Sequence, residues 1–226
     1  MKPVVHLVQV DAFDRRATGR LLRAGGYEVI EYASAQNFLA ANPQGTGCVV
    51  ADIKMSQLNG LEMQDRLVRS GSTLVVVFMA DDADIRASVS AIKAGAEDVL
   101  IKPTKKEDLL DAIDRALARS RQAVKNRSEQ NTACSLVSTL TPREREVFSL
   151  VASGKPNKLI ARELGTVERT IKAHRKKVMS KLHVCSLVDL MVFAGRTGLT
   201  TPIPPPAAAS TSHKERSRGV GTLELA

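Results

Sequence analysis

Six cations, Arg169, Lys172, Arg175, Lys176, Lys177 and Lys181, crowd into one short stretch of this 226-residue chain. Guanidinium and ammonium groups bind phosphate oxygens, and they also reach the acceptor edge of guanine. Wound as a helix, the stretch carries Ile171, Val178 and Leu182 on one apolar stripe. Arg169, Lys172, Ala173, Arg175 and Lys176 take the remaining sides. Such a helix, resting its stripe on two others, is suited to the major groove of duplex DNA. The small Ala173 would let it approach base edges closely.

The charge distribution agrees. Residues 139–199 carry 12 Lys/Arg against 5 Asp/Glu, whereas residues 1–120 carry 15 against 16. Most of the net charge of +9 therefore lies in one small C-terminal segment, as expected where only that part meets phosphate. An apolar content of 43% with 25% charged residues is ordinary for a folded, water-soluble protein. Cys48, Cys134 and Cys185 are far apart and show no CxxC or Cys/His spacing. They point to neither a disulfide framework nor a zinc site, but to inert thiols in a reducing compartment. No leader segment is evident at the start, because Lys2, His6 and Gln9 interrupt the first apolar run, and no run is long enough to span a bilayer. There is no glycine-rich phosphate loop and no Ser/His/Asp or Cys/His set, so an enzyme is not expected.

The elements that would hold the basic helix are legible. Thr141, Pro142 and Glu144 have the spacing of an N-cap, a first-turn proline and a capping box. Val147, Leu150 and Val151 form the inward face of the helix that follows, and Gly154 ends it. Asn157 is expected to cap a second helix with Leu159, Ile160 and Leu164 inward, closed by Gly165. Thr166 or the next residues would cap the third. A fourth helix covers residues 186–195.

The first 120 residues alternate buried strands with helices. Strands are expected at 4–10, 27–32, 48–53, 74–79 and 99–101, and helices at 15–24, 35–41, 61–70, 85–94 and 106–119. Five βα units predict a doubly wound parallel sheet, the α/β part of a chain whose C-terminal part is all-α. Sites in such sheets gather at the carboxyl ends of the strands, which directs attention to Asp11, Asp52, Ala80, Asp81 and Lys102. Asp81 and Asp82 suit an acidic loop or a cap of the helix that starts near Asp84. Residues 121–138 are polar and are expected to be a linker, helical at first and then loose. Residues 200–226 are rich in Pro, Ala and Ser and are expected to form a disordered tail.

The C-terminal segment closely resembles the LuxR-type helix-turn-helix. The resemblance runs through Leu140–Glu144, Gly154, Asn157, Lys158, Ile160, Ala161, Leu164, Gly165, Thr170, Ile171, Lys172, His174, Lys181 and Leu182. It implies binding to double-stranded DNA as a homodimer. Lys172, Ala173 and Lys176 take the family's base-facing positions, and Asn157, Lys158 and Thr170 its backbone-contact positions. Leu187, Val188 and Met191 would supply the dimer contact. Pro156 departs from the family's usual small or polar residue.

The first 120 residues resemble the receiver domain of response regulators of the FixJ/NarL family, through VVHLVQVD, LLRAGGYEV, GCVVADIKM, AIKAGAEDVLIKP and LLDAI. That resemblance assigns Asp52 the phospho-acceptor position and Lys102 the lysine that pairs with the phosphoryl group. The family's acidic pair, which holds magnesium, falls on Gln9 and Val10. Its Thr/Ser falls on Ala80 and its switch aromatic on Val99. Four changes at once remove the metal ligands, the phosphate grip and the readout, and they leave Asp52 and Lys102 free to form a structural ion pair. The expectation is a transcription regulator of the cytoplasm with an atypical receiver, no cofactor, and little dependence on phosphorylation. Two alternatives stay open: a conventional phospho-activated regulator in which Asp11 slides into the metal site, and a protein-interaction partner of another regulator or a sensor kinase.

Overall fold

A computed structural model describes residues 2–81 and 84–197. The expected tail at 200–226, Asp82, and the last two residues of the expected DNA-binding segment lie outside the described residues. The chain divides into two compact units, Met1–Ser135 and Leu136–Ala226.

The first unit is a five-stranded sheet in the order β2-β1-β3-β4-β5. Its strands are β1 (Val4–Val8), β2 (Glu28–Tyr32), β3 (Cys48–Asp52), β4 (Val75–Ala80) and β5 (Asp98–Ile101), and every pairing is parallel. The intervening helices are α1 (Ala12–Ala24), α2 (Ala35–Ala41), α3 (Gly60–Arg69), α4 (Ile85–Lys93) and α5 (Lys106–Ser138). Alternate residues along each strand enter opposite cores, which is why the inner strands are apolar almost without interruption. Val49, Ala51, Val76 and Phe78 pack with Phe38, Met63 and Ala91 of α2, α3 and α4. Leu7, Val50, Val75 and Val77 pack with Leu22 of α1 and with Leu109, Ile113 and Leu117 of α5. The chain leaves β1 for β2 on one side and takes up β3 on the other. The resulting crevice lies at the carboxyl ends of β1 and β3, where ligand sites of this architecture form.

Gly60 is needed where α3 meets that crevice. A Cβ there would stand 2.6 Å from the Phe78 ring and 2.9 Å from the backbone oxygen of Asp52.

The loose linker expected within residues 121–138 is not found, because α5 is one continuous helix to Ser138. No glycine or proline interrupts that stretch, and side chains tie the helix to the sheet end. Ser120 Oγ accepts from Gly47 N at 3.1 Å and donates to Thr73 O at 2.8 Å, and Arg127 donates to the Gly71 carbonyl.

The second unit holds α6 (Pro142–Ala152), α7 (Asn157–Glu163), α8 (Glu168–Lys181) and α9 (Leu187–Thr197) around Val147, Phe148, Ile160, Ile171, Val178, Leu182 and Leu190. The capping box is formed: Thr141 N donates to Glu144 Oε2 at 2.9 Å, and Glu144 N donates to Thr141 Oγ1 at 3.3 Å. Lys181 Nζ reaches the same carboxylate at 2.6 Å, joining the start of α6 to the end of α8. One expected cap is corrected: Asn157 is the first residue of α7 and Pro156 its cap position. The cap position of α8 is Val167, next to Thr166, and neither helix has a side-chain cap. Leu159, expected inward, is 51% exposed. Ile160 and Ala161 set the inward face of α7, and Leu159 points a third of a turn away.

Two outcomes follow. Gly60→Ala should destabilise the first unit by about 1–3 kcal/mol through overpacking, read as a lower denaturant midpoint with unchanged slope. The Glu144 carboxyl is held down at about 2 against the ordinary 4.5, chiefly by its hydrogen bond with Lys181 and then by the Thr141 N–H. A depressed pKa stabilises the fold fully above 4.5 and loses that contribution as the pH falls toward 2. The difference in melting temperature between wild type and Glu144→Gln should therefore be constant near neutrality and shrink over that acid window.

Candidate functional site

The crevice of the first unit brings together Gln9, Val10, Asp11, Asp52, Ala80 and Lys102. Asp52 ends β3, and two groups converge on its Oδ1. Lys102, just past β5, brings its Nζ to 2.7 Å. Gln9, just past β1 and fully buried, donates from Nε2 at 3.1 Å. The same Nε2 lies 3.7 Å from Met79 Sδ, and the Gln9 Oε1 is buried without a partner. Lys102 also reaches Asp14 Oδ2 at 3.3 Å. Burial pulls the Lys102 pKa down, but its bonds to Asp52 and Asp14 outweigh that, and the net shift is upward.

The neighbouring positions have other tasks. Asp11 caps α1, its Oδ1 accepting from Phe13 N and Asp14 N at 2.8 Å each. Its carboxyl sits below the usual range, mainly because of the Asp14 N–H. Val10 is half exposed at the rim, Ala80 is buried at the end of β4, and Val99 packs against the core beneath it. Asp81 lines the cleft, and Asp84 pairs with Lys54 rather than capping α4 with its side chain.

Three participants had not been singled out: Asp14, Arg15 and Lys54. Arg15 Nη1 donates to the carbonyl oxygens of Gln9 at 2.6 Å and Val10 at 3.1 Å, fixing the β1–α1 turn. Asp14 and Arg15 lie three and four residues past the Asp11 cap. That spacing puts both in the helical turn facing the crevice, and it was the available signal.

In the second unit, α8 turns Arg169, Lys172, Ala173, Lys176 and Lys177 to solvent, with Thr170 and Arg175 half-buried. Ile171 and Val178 anchor the opposite side. Lys172 pairs with Glu168 at 3.4 Å, one turn earlier. Arg175 Nη1 donates to Asn157 Oδ1 at 3.3 Å, and Lys158 is exposed on α7. On α9, Val188 is 68% exposed and Leu187 is 38% exposed, whereas Met191 turns inward toward Gly154. Val192, not singled out from the sequence, is 55% exposed one turn after Val188.

Comparison with known proteins gives this arrangement a family. Residues 5–114 match the model of the response regulator receiver domain, and residues 138–194 match that of the bacterial regulatory proteins of the luxR family. Nodulation protein W of Bradyrhizobium diazoefficiens is 38% identical over 203 residues, covering 88% of each chain. The transcriptional regulatory protein TdiR of Thauera aromatica is 37% identical, covering 85% of each. Among solved structures, the response regulator StyR superposes with a TM-score of 0.70 at 37% identity, covering 87% of this chain and all of that one. Full-length FixJ from B. japonicum gives a TM-score of 0.54 at 34% identity, covering 89% of this chain and all of that one. The chain thus belongs to the two-component response regulators, with a receiver domain followed by a DNA-binding domain of the luxR family.

Proposed function

We propose that this regulator binds duplex DNA as a homodimer and that its output does not run through phosphorylation of Asp52. The observation that carries the second part is the pairing of Gln9 and Lys102 with one oxygen of Asp52. A divalent cation beside a phospho-acceptor needs oxygen ligands in near-octahedral array. The residues at the positions of the family's acidic pair do not fit one. Gln9 spends its amide N–H on Asp52 and keeps its oxygen sealed from solvent, Val10 offers no side-chain oxygen, and Asp11 is engaged as a helix cap. Ala80 has no hydroxyl for a phosphoryl oxygen, and Val99 is β-branched and stiff about χ1. A conventional switch that recruited Asp11 would have to use Oδ2, since Oδ1 is held by two N–H···O bonds at the start of α1.

The receiver then serves as an interaction module, toward a second copy and toward a sensor kinase or another regulator. The DNA-binding part rests on α8. Lys172, Ala173 and Lys176 share its open face and are assigned to base edges, while Arg169, Thr170, Asn157 and Lys158 are assigned to the sugar-phosphate backbone, with Arg175 beside them. Val188 and Val192, one turn apart and open on α9, with Leu187 beside them, suit contact with the same face of a second copy, since paired half-sites call for a two-fold dimer. A protein that acts on bacterial DNA works in the cytoplasm. Among the described residues, no helix is long and apolar enough to cross a membrane.

Two measurements test this. After incubation with acetyl phosphate and magnesium, intact mass should show no stable phosphoryl adduct, and operator affinity should be unchanged; a stable adduct at Asp52 accompanied by altered affinity refutes phosphorylation independence. Lys172→Ala and Lys176→Ala should each cost roughly 1–3 kcal/mol on the preferred site and less on random duplex. An equal loss on every sequence, accompanied by a salt slope lower by about 0.9 per contact, would reassign that lysine to the phosphate backbone.

A further inference from the structure

We infer that Arg175 is a positioning residue that decides which end of the Asn157 side-chain amide faces DNA. The inference rests on the DNA-binding reading of α7 and α8. Asn157 does not cap its own helix, so its side chain is not tied to the first turn of α7. Its carbonyl oxygen instead accepts from Arg175 Nη1, 18 residues on and in the next helix. Both residues line a hollow of about 400 Å³ with Lys172, Lys176 and Met179.

The chemistry follows from the asymmetry of an amide. One end accepts hydrogen bonds and the other donates two. Phosphate oxygens only accept, so an asparagine helps at the backbone only when its NH2 is turned outward. A guanidinium donates and never accepts, and it therefore selects the carbonyl end of Asn157 for itself. The NH2 is left for the duplex. Without Arg175 the amide is free to flip, and in half of its orientations lone pairs would meet phosphate. Arg175 has a rival role as an independent contact to DNA, because it lines the hollow beside Lys172 and Lys176. The two roles differ in one respect: an independent contact contributes the same with or without Asn157, and a positioning contact does not.

The test is a double-mutant cycle on the full chain, reading affinity for one fluorescent duplex by anisotropy. Arg175→Ala should weaken binding about tenfold in the wild-type background and less than about threefold in the Asn157→Ala background, with melting temperatures unchanged. The general loss of one positive charge enters both arms and cancels. Should Arg175→Ala perturb the fold, Arg175→Leu keeps the apolar stem and repeats the cycle. Equal losses in both backgrounds, or no loss in the wild type, would overturn the positioning role while leaving DNA binding intact. If the wild type itself ignored duplex at low salt, the DNA-binding reading would fall, and the inference with it.

Discussion

A carboxylate at the end of a strand buried on both faces must be met by positive or donating groups, and the crevice of the first unit is arranged around that need. Asp52 closes β3 with only 13% of its side chain exposed. Protein atoms meet it: an ammonium from beyond β5 and an amide from beyond β1. Each of those is secured in turn. Lys102 is shared with Asp14, and the turn that carries Gln9 is pinned by Arg15 through two backbone carbonyls. The sheet order, which sets the ends of β1 and β3 side by side, is what makes so short a circuit available.

The second unit answers a different electrostatic demand. Its helix α8 carries half of the lysines and arginines of residues 139–199 while using two fully buried residues, Ile171 and Val178, as anchors. Cations are kept from the core by assigning the inward-leaning ones to acceptors at the margins. Lys181 ends on the Glu144 carboxylate and the Thr139 carbonyl, and Lys155 ends on Glu163. The open cations of α8, Arg169, Lys172, Lys176 and Lys177, form a single face. Glu168 screens the Lys172 ammonium and favours the start of the helix by its charge, and the pair they make is exposed and weak.

Legibility in the sequence followed the strength of the local signal. Ala35–Ala41 is bounded by Ser34 and by Asn42, which adopts the left-handed conformation that ends a helix, and its limits were readable to the residue. The capping box at Thr141 and Glu144 was likewise plain. The length of α5 was not, because residues 121–138 lack an apolar face; Ser120 and Arg127 hold the helix through partners about 50 residues away, which no window along the chain reveals. Asn157 was mistaken for a cap because Asn is a favoured cap residue, whereas the proline before it holds the extended cap conformation. Of the crevice, the residues at strand ends were found and those on the first turn of α1 were missed. The Asp52–Lys102 pair was foreseen, but the amide of Gln9 was counted as a lost ligand and not as a partner.

That last difference bears on how the crevice came to be stable. A carboxylate at position 9 would place a second negative charge beside Asp52, with Lys102 left to balance both. Glutamine at position 9 replaces that charge with an N–H···O bond of 3.1 Å. It leaves the buried Oε1 without a partner, a penalty of about 1–3 kcal/mol. A residue kept buried at such a cost is keeping something, and what it keeps is Asp52 in place. Erosion of a metal site would leave vacancies with no new contacts. Here the substituted residue makes a bond that an acidic residue could not make, and Ala80 and Val10 ask for no polar partner at all. Asp52 therefore has protein partners of its own, an ammonium and an amide, and the proposal of a receiver that works without phosphorylation rests on that pairing.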